Sequence, residues 1–231
     1  KLSDTKNKVR YRSRIVEQGV HATFQIPMAH YENKSLTNTL SDYIVSKETQ
    51  GIESNVAPNI KHNLVESRFD FLNGDAMVVK DTREWIDSCI KKTVNTIQME
   101  SIDYDITYKE SWYHITKTNG MHESHIHPGC SWCGIYYLQS GDDSGGETVF
   151  ENPVKSTYID RGTQFLNNMS IVRVKPRDGM LVLFPSYLIH YQALYTGMQD
   201  RVVIAFNSTI VLGLFSCNTL HISFSTSRIS S

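Results

Sequence analysis

Two segments in the first hundred residues carry apolar side chains at the spacing of an amphipathic helix. The first spans residues 33–46, and its apolar positions are Leu36, Leu40, Tyr43 and Ile44. The second begins near Asp81, which together with Glu84 three residues later resembles a capping box. Its predicted apolar face consists of Trp85, Ile86, Cys89, Ile90, Val94 and Ile97. Residues 21–30 alternate as in a strand, and the polar residues 47–63 predict a loop.

After about residue 104 the pattern changes to short apolar or alternating runs that turn signals separate. Seven strands are predicted, over residues 105–118, 131–140, 147–153, 170–176, 179–185, 190–195 and 201–212. The turn signals include Asn119-Gly120 and Asp178-Gly179. Many short, evenly spaced strands predict a mainly β fold, a double-stranded β-helix of the jelly-roll (cupin-like) kind with helices at its N-terminal side.

We expect a single domain over residues 1–231, long enough to bury a substantial core. Within it, residues 1–103 form a mixed helix and strand support, residues 104–212 form the jelly-roll core, and residues 213–231 are a tail to which the sequence assigns no role.

The composition is that of an ordinary soluble globular protein, with 40% hydrophobic and 20% charged residues. The formal net charge is −1, so no global field attracts nucleic acid or an anionic membrane. No basic fold motif accompanies the basic segment KNKVRYRSR near the N-terminus, which favours a solvated arm or edge strand. No apolar run reaches the roughly 20 residues of a transmembrane helix. The four cysteines are unevenly spaced and do not suggest a disulfide framework, so we expect a reducing, cytoplasmic location.

Two histidines separated by one residue form the clearest chemical motif, His125 and His127 in HESHIHPG. On a strand, residues i and i+2 project from one face, so both imidazoles can bind one ion. Neutral imidazole is a ligand for Fe, Zn, Cu or Ni. Pro128 and Gly129 end the segment, which predicts that the pair lies at a strand end. His190, in FPSYLIHY, is predicted to start a return strand that brings a third imidazole to the same opening.

Four ordered blocks resemble the iron(II)- and 2-oxoglutarate-dependent oxygenases: HIHPGCSWCGIYYL, GGETVF, GMLVLFPSYLIH and RVVIAFN. The resemblance covers about residues 110–208 and is closest to the bacterial and phage branch related to prolyl hydroxylases. It implies an enzyme that uses Fe(II), O2 and 2-oxoglutarate, releases succinate and CO2, and hydroxylates a substrate C–H bond. By position, it implies that His125 and His190 are iron ligands.

The resemblance also implies a binding site for 2-oxoglutarate. Arg201 would pair in bidentate fashion with the distal carboxylate. Tyr137 occupies the position at which related hydroxylases place a tyrosine that bonds this carboxylate. Tyr113 is a further candidate to contact cosubstrate or substrate. For Trp112 and Asn207, which match family-like positions, we expect packing and a strand-end hydrogen bond.

The sequence departs from the family pattern at two positions. His127 stands where the family carries a carboxylate, so the metal would have three histidine ligands and a higher net charge. Glu123 is the alternative that would restore a carboxylate, but the spacing from His125 favours His127. Val203 stands where relatives often carry a serine, so one hydrogen bond to the keto acid is expected to be missing.

Three other interpretations of the sequence remain open. His125, His127, Cys130 and Cys133 could form a structural zinc site, although on a continuous strand the two cysteines would face opposite sides. A three-histidine, cupin-type dioxygenase could act without a keto acid, and a non-catalytic jelly roll could bind a carbohydrate or a protein. The expected partner is an amino-acid, peptidyl or small-metabolite substrate, with no nucleic acid and no membrane. The sequence leaves the oligomeric state open, a homodimer included.

Overall fold

Nine strands and two α-helices form in the parts of the chain that the computed structural model describes, residues 25–48, 61–97, 104–142, 144–154 and 170–212. In chain order they are β1 (Ala29–Glu32), α1 (Thr37–Glu48), β2 (Lys61–Glu66), α2 (Met77–Ile97), β3 (Tyr104–His125), β4 (Trp132–Gln139), β5 (Thr148–Glu151), β6 (Ile171–Val174), β7 (Met180–Pro185), β8 (His190–Tyr195) and β9 (Arg201–Leu212). The basic N-terminal segment and the tail 213–231 lie outside the described residues.

All strand pairs are antiparallel and belong to one curled sheet with the order β1-β7-β4-β9-β3-β8-β5-β6, while β2 pairs with β3. The longest pairing joins β3 to β9, from Tyr104 opposite Leu212 to Thr116 opposite Arg201. This arrangement confirms the predicted jelly-roll fold. The seven predicted strands all form, with small differences at their ends except for β3, which extends to His125.

Hydrophobic residues pack on both faces of the sheet because successive residues of a strand point to opposite sides. On one face, Tyr136 and Ile204 join the helix residues Ile86 and Ile90 in a core between sheet and helices. On the other face, a second core lies within the curl of the sheet. Its buried members are Cys133, Tyr137, Phe150, Met180, Val182, Phe184, Leu188 and Val203.

Both predicted helices form, but they begin elsewhere than expected. The carboxamide oxygen of Asn33 accepts hydrogen bonds from the backbone N–H and the hydroxyl of Ser35, at 3.0 and 2.6 Å. This local turn delays α1 to Thr37. Helix α2 begins at Met77, so Asp81 lies inside the helix and the predicted capping box is wrong. Of the predicted apolar face of α2, Ile86, Cys89, Ile90 and Val94 are buried, Trp85 is partly buried, and Ile97 near the helix end is 39% exposed.

Asn119-Gly120 does not form the predicted turn, because β3 continues through it to His125. Asn119 has a positive φ of 62°, and a Cβ on Gly120 would overlap the side chain of Thr116 and nearby carbonyl oxygens. Around this pair, the register of β3 shifts against both β2 and β8. Strand β3 pairs with β9 as far as Thr116, and with β8 from Gly120 to His125. This change of partner brings the end of β3 to the start of β8.

Two further predictions about the N-terminal half need correction. Strand β2 starts at Lys61, inside the predicted loop 47–63, and its pairing with β3 supplies a stabilisation that the polar sequence did not indicate. Within the predicted strand 21–30, the described residues form a strand only from Ala29 onward. Neither helix of the described ranges is long and apolar enough to cross a membrane.

Candidate metal centre

Three histidines from two distant parts of the chain meet at one end of the roll. His125 is the last residue of β3, His190 is the first residue of β8, and the two are register partners. His127 follows β3 by two residues, and its backbone N–H donates to the carbonyl of Ser186 in the connection from β7 to β8. One ligand atom from each of the three imidazoles lies within 4.8 Å of the others.

The backbone sets the tautomers of two of these rings. Nδ1 of His125 lies 2.7 Å from the carbonyl oxygen of Glu123, and Nδ1 of His190 lies 2.9 Å from that of Leu188. A carbonyl oxygen can only accept, so the Nδ1 atoms carry the protons and Nε2 is the nitrogen that a metal would take. Such backbone partners are a common means of orienting metal-binding histidines.

Burial keeps His190 neutral. Its side chain is 3% exposed, and desolvation of the charged form, with a smaller contribution from the nearby His125, lowers the pKa of His190 to about 3. Metal ligation requires an unprotonated nitrogen. His190 is therefore ready to bind a cation throughout the neutral range.

Arg201 lies deeper in the same pocket and is buried, with 1% exposure. Its Nη1 donates to Oε1 of Gln192 at 2.7 Å and to Nε2 of His114 at 3.3 Å. Among the described residues, no carboxylate lies within 4.0 Å of the guanidinium. Burial lowers the pKa of Arg201. Glu66 is the buried carboxylate beyond it, 4.0 Å from Nδ1 of His114. A buried guanidinium with neutral direct partners is suited to bind an anion.

Tyr137 packs behind Arg201 rather than projecting into the pocket. The guanidinium carbon lies 5.1 Å from the centre of the fully buried Tyr137 ring, and the phenol forms a 2.6 Å hydrogen bond with the hydroxyl of Thr148. Thr148 lines the pocket, whereas Tyr137 does not. Burial raises the pKa of Tyr137, which keeps the phenol protonated and able to donate.

The pocket lies between the three histidines and Arg201 and is partly open to solvent. The polar atoms of its lining residues that are buried without a hydrogen-bond partner among the described residues include Nε1 of Trp112, Nε2 of Gln192, Nε of Arg201 and Oδ1 of Asn207. Three of these are donors. Because unsatisfied buried donors are rare in folded proteins, their convergence fits a bound anionic ligand beside a metal.

The structure does not bring every predicted residue to this pocket. Tyr113 packs in the core between sheet and helices, where its ring contacts Phe71 edge to face at 5.6 Å. It points away from the pocket because its neighbours Trp112 and His114 occupy the pocket face of β3. Glu123 is exposed and is not part of the group of three histidines.

The cysteines are also outside that group. Cys130 precedes β4, so the strand alternation that was expected to separate it from Cys133 does not apply. The two sulfurs lie 3.8 Å apart, and the thiol of Cys130 donates to the carbonyl of His127. Both cysteines pack in or against the core within the curl.

Several pocket residues did not emerge from the sequence. His122 stacks on His125 with ring centres 4.0 Å apart, and His114 and Gln192 contact Arg201. Gln192 lies two residues after His190 on β8, and this parity is the signal that could have identified it. His114 and His122 are separated from His125 by odd numbers of residues, and register shifts between Gly120 and His125 break the alternation of β3, so parity gave no signal for them. Trp112 and Asn207 were expected only to pack or to close a strand end, yet both line the pocket.

The family model for 2OG-Fe(II) oxygenases matches residues 110–207. This range contains every lining residue of the pocket, from Trp112 to Asn207. A comparison with curated proteins finds no match.

Solved structures share the fold at low sequence identity. A prolyl-4-hydroxylase from Pseudomonas putida is 16% identical with a TM-score of 0.58, over 81% of this chain and 94% of that protein. A prolyl hydroxylase from Trichoplax adhaerens, in complex with a hypoxia inducible factor peptide, is 17% identical with a TM-score of 0.52, over 78% and 83%. HygX from Streptomyces hygroscopicus, with nickel and 2-oxoglutarate bound, is 11% identical with a TM-score of 0.53, over 80% and 83%.

Proposed function

We propose that this chain is a 2OG-Fe(II) oxygenase, as the match of its residues 110–207 to that family model indicates, and that it hydroxylates a C–H bond of a small-molecule or peptidyl substrate with Fe(II) held by His125, His127 and His190. The family uses Fe(II) and 2-oxoglutarate. The observation that carries the proposal is the approach of three imidazoles to within 4.8 Å beside a buried arginine that has neutral direct partners.

Each protein group has a defined task in this reaction. His125 and His190 present Nε2 to the metal because backbone carbonyls hold their Nδ1 protons. Arg201 binds the distal carboxylate of 2-oxoglutarate, and the Tyr137 ring behind it holds the guanidinium in place. The bound iron supplies the activation of O2 that couples decarboxylation of the keto acid to oxidation of the substrate.

The charges support 2-oxoglutarate as the cosubstrate. Three neutral imidazoles leave the full charge of Fe(II) uncompensated, and Arg201 adds a further positive charge. A dianion that chelates the metal at one end and pairs with Arg201 at the other would neutralise both. The unsatisfied donors of Trp112 and Gln192 lie along the same pocket.

An anaerobic titration with Fe(II) and 2-oxoglutarate tests the proposal. We expect a visible charge-transfer band of the iron chelate that requires both additions, and that is lost in a His190→Ala variant. Succinate release in air, measured against a panel, then identifies the substrate class. Because one neighbour binds a peptide and a HygX structure contains hygromycin B, the panel includes prolyl peptides, free amino acids and an aminoglycoside.

Absence of the band, together with oxidation of a substrate in the absence of any keto acid, would contradict the proposed role of 2-oxoglutarate. Tightly held zinc without turnover of 2-oxoglutarate would contradict the enzyme role altogether.

A further inference from the structure

His127 differs from the other two histidines in the atom that its Nδ1 contacts. Nδ1 of His125 and Nδ1 of His190 each lie beside a carbonyl oxygen, whereas Nδ1 of His127 lies 3.2 Å from Nδ2 of Asn207. An amide Nδ2 is a donor, so Nδ1 of His127 must accept. A neutral His127 then carries its proton on Nε2, the nitrogen that the other two rings keep unprotonated.

Glu110 holds the Asn207 amide in this orientation. The same Nδ2 donates to Oε2 of Glu110 at 2.9 Å, and an ionised carboxylate can only accept. Turning the amide over would place Oδ1 against the carboxylate. Asn207 is 2% exposed, and its Oδ1 is buried without a hydrogen-bond partner among the described residues. The amide thus leaves one acceptor unsatisfied in order to keep both Nδ2 contacts.

We propose that Glu110 and Asn207 are positioning residues that hold His127 in the tautomer protonated on Nε2. His127 can therefore bind the metal only after its proton has moved to the other ring nitrogen. For Nε2 to bind a metal, the ring must give up that proton and take one on Nδ1, so that it stays neutral. The Asn207 amide must turn so that Oδ1 accepts from Nδ1–H, and Glu110 then loses its amide donor. His125 and His190 need no such change.

This inference rests on the proposed role of His127 as a metal ligand, but its first consequence concerns the metal-free protein. Nitrogen-15 NMR of histidine-labelled protein distinguishes the two neutral tautomers of each ring. We expect His127 to carry its proton on Nε2, and His125 and His190 to carry theirs on Nδ1. Observation of the Nδ1-protonated form of His127 in the unmodified protein would overturn the proposal.

Glu110→Gln removes the constraint, because a glutamine amide can accept from Asn207 in its present orientation or donate to Asn207 once it has turned. We expect a measurable fraction of the Nδ1–H tautomer of His127 to appear in Glu110→Gln, while the other two histidines serve as internal references. Glu84→Gln, at an exposed position of α2, is the matched control and should leave all three tautomers unchanged. An unchanged His127 tautomer in Glu110→Gln would mean that the carboxylate does not orient the amide.

The affinity for Ni(II), measured by calorimetry, is a second test. The two possible actions of Glu110, through the Asn207 amide or by its negative charge alone, predict opposite changes of this affinity in Glu110→Gln. If Glu110 acts through the amide, Glu110→Gln should bind Ni(II) more tightly, on the order of tenfold, the lower end of the range for partners of metal ligands. If Glu110 acts only by its negative charge near a cation, the same variant should bind Ni(II) more weakly.

A double-mutant cycle separates the two explanations further. In an Asn207→Ala background, the amide that links Glu110 to His127 is absent. Glu110→Gln should then no longer change the Ni(II) affinity. An equal effect in both backgrounds would overturn the proposal. His127→Ala tests the ligand role of His127 separately from the positioning role of Glu110 and Asn207. If this variant binds Ni(II) like the unmodified protein, His127 is not a ligand, whatever the tautomer measurements show.

Discussion

His125 at the end of β3 lies directly opposite His190 at the start of β8, and their ring centres are 4.3 Å apart. The register of an antiparallel pair produces this approach. A slip of one residue would turn one of the two rings to the other face of the sheet. The metal centre therefore depends on how β3 passes from β9 to β8 near Gly120, well before either histidine.

Removing the imidazole of His127 should weaken metal binding severely, while removing the carboxylate of Glu123 should not. Only His127 belongs to the group of ligand atoms that lie within 4.8 Å of one another. We expect the dissociation constant for Ni(II) to rise more than about 100-fold in His127→Ala, since loss of a direct ligand should exceed the loss of an outer partner. Equilibrium dialysis against Ni(II) measures both variants. Loss of binding in Glu123→Ala instead would make the carboxylate the ligand.

Replacing Arg201 by methionine should abolish the stabilisation of the protein by 2-oxoglutarate without unfolding it. The guanidinium has no carboxylate within 4.0 Å among the described residues, so its removal leaves no unpaired buried charge, and the loss of its hydrogen bonds to Gln192 and His114 should cost only a few kcal/mol. Loss of a buried charged partner should weaken 2-oxoglutarate binding by about 30-fold or more. Thermal shift with increasing 2-oxoglutarate tests this expectation. Arg201→Lys, which keeps the charge but not the planar fork, is the companion variant.

The metal-free protein should lose stability as the pH falls from about 6.5 to about 3. The pKa of His190 is lowered to about 3 in the folded state, mainly by burial, whereas the unfolded chain titrates near 6.5. Between these values the unfolded state binds a proton that folded His190 does not, so stability rises with pH in this window and this contribution is constant above it. The change is at most a few kcal/mol.

His190→Gln should remove that part of the pH dependence. Urea unfolding of both proteins at about pH 5 and about pH 8 measures it. Equal differences between the two pH values in His190→Gln and in the unmodified protein would contradict the assignment to His190.

Trp112→Phe should weaken ligand binding without lowering stability. The ring packs edge to face against Phe69 at 5.2 Å, a contact that phenylalanine can keep, while Nε1–H is buried and has no partner among the described residues. If Nε1–H donates to a bound carboxylate, its loss should raise the KM for 2-oxoglutarate or substrate by about 10-fold or more. Steady-state kinetics and the melting temperature together test this. A lower melting temperature with unchanged KM would indicate a purely structural role.

Gly134→Ala should destabilise the sheet. Gly134 lies on β4 opposite Phe206 of β9, and an added Cβ would overlap the buried Phe206 ring. Overpacking of this kind costs about 1–3 kcal/mol. Chemical denaturation measures the loss, and Phe206→Leu in the same chain should restore part of it by making room. A fully stable Gly134→Ala protein would show that β4 and β9 adjust to the extra atom.

The pattern of apolar residues was sufficient to predict the jelly roll, because a sheet with two packed faces requires alternating or continuous apolar strands. It was insufficient wherever tertiary pairing overrode local signals. Asn119-Gly120 reads as a turn, yet the partners of β3 carry the strand through it. The polar run at Lys61 reads as a loop, yet it pairs with β3.

The same division applies to the site. Spacing and resemblance by themselves singled out His125, His127, His190 and Arg201, since each belongs to a short motif whose chemistry is visible in the residue types. Only the tertiary structure decided that Tyr113 faces the helices, and that Trp112 and Asn207 line the pocket. The reason is physical: which residues share a pocket depends on strand register and on the curl of the sheet, and these follow from the packing of the whole chain rather than from any local segment.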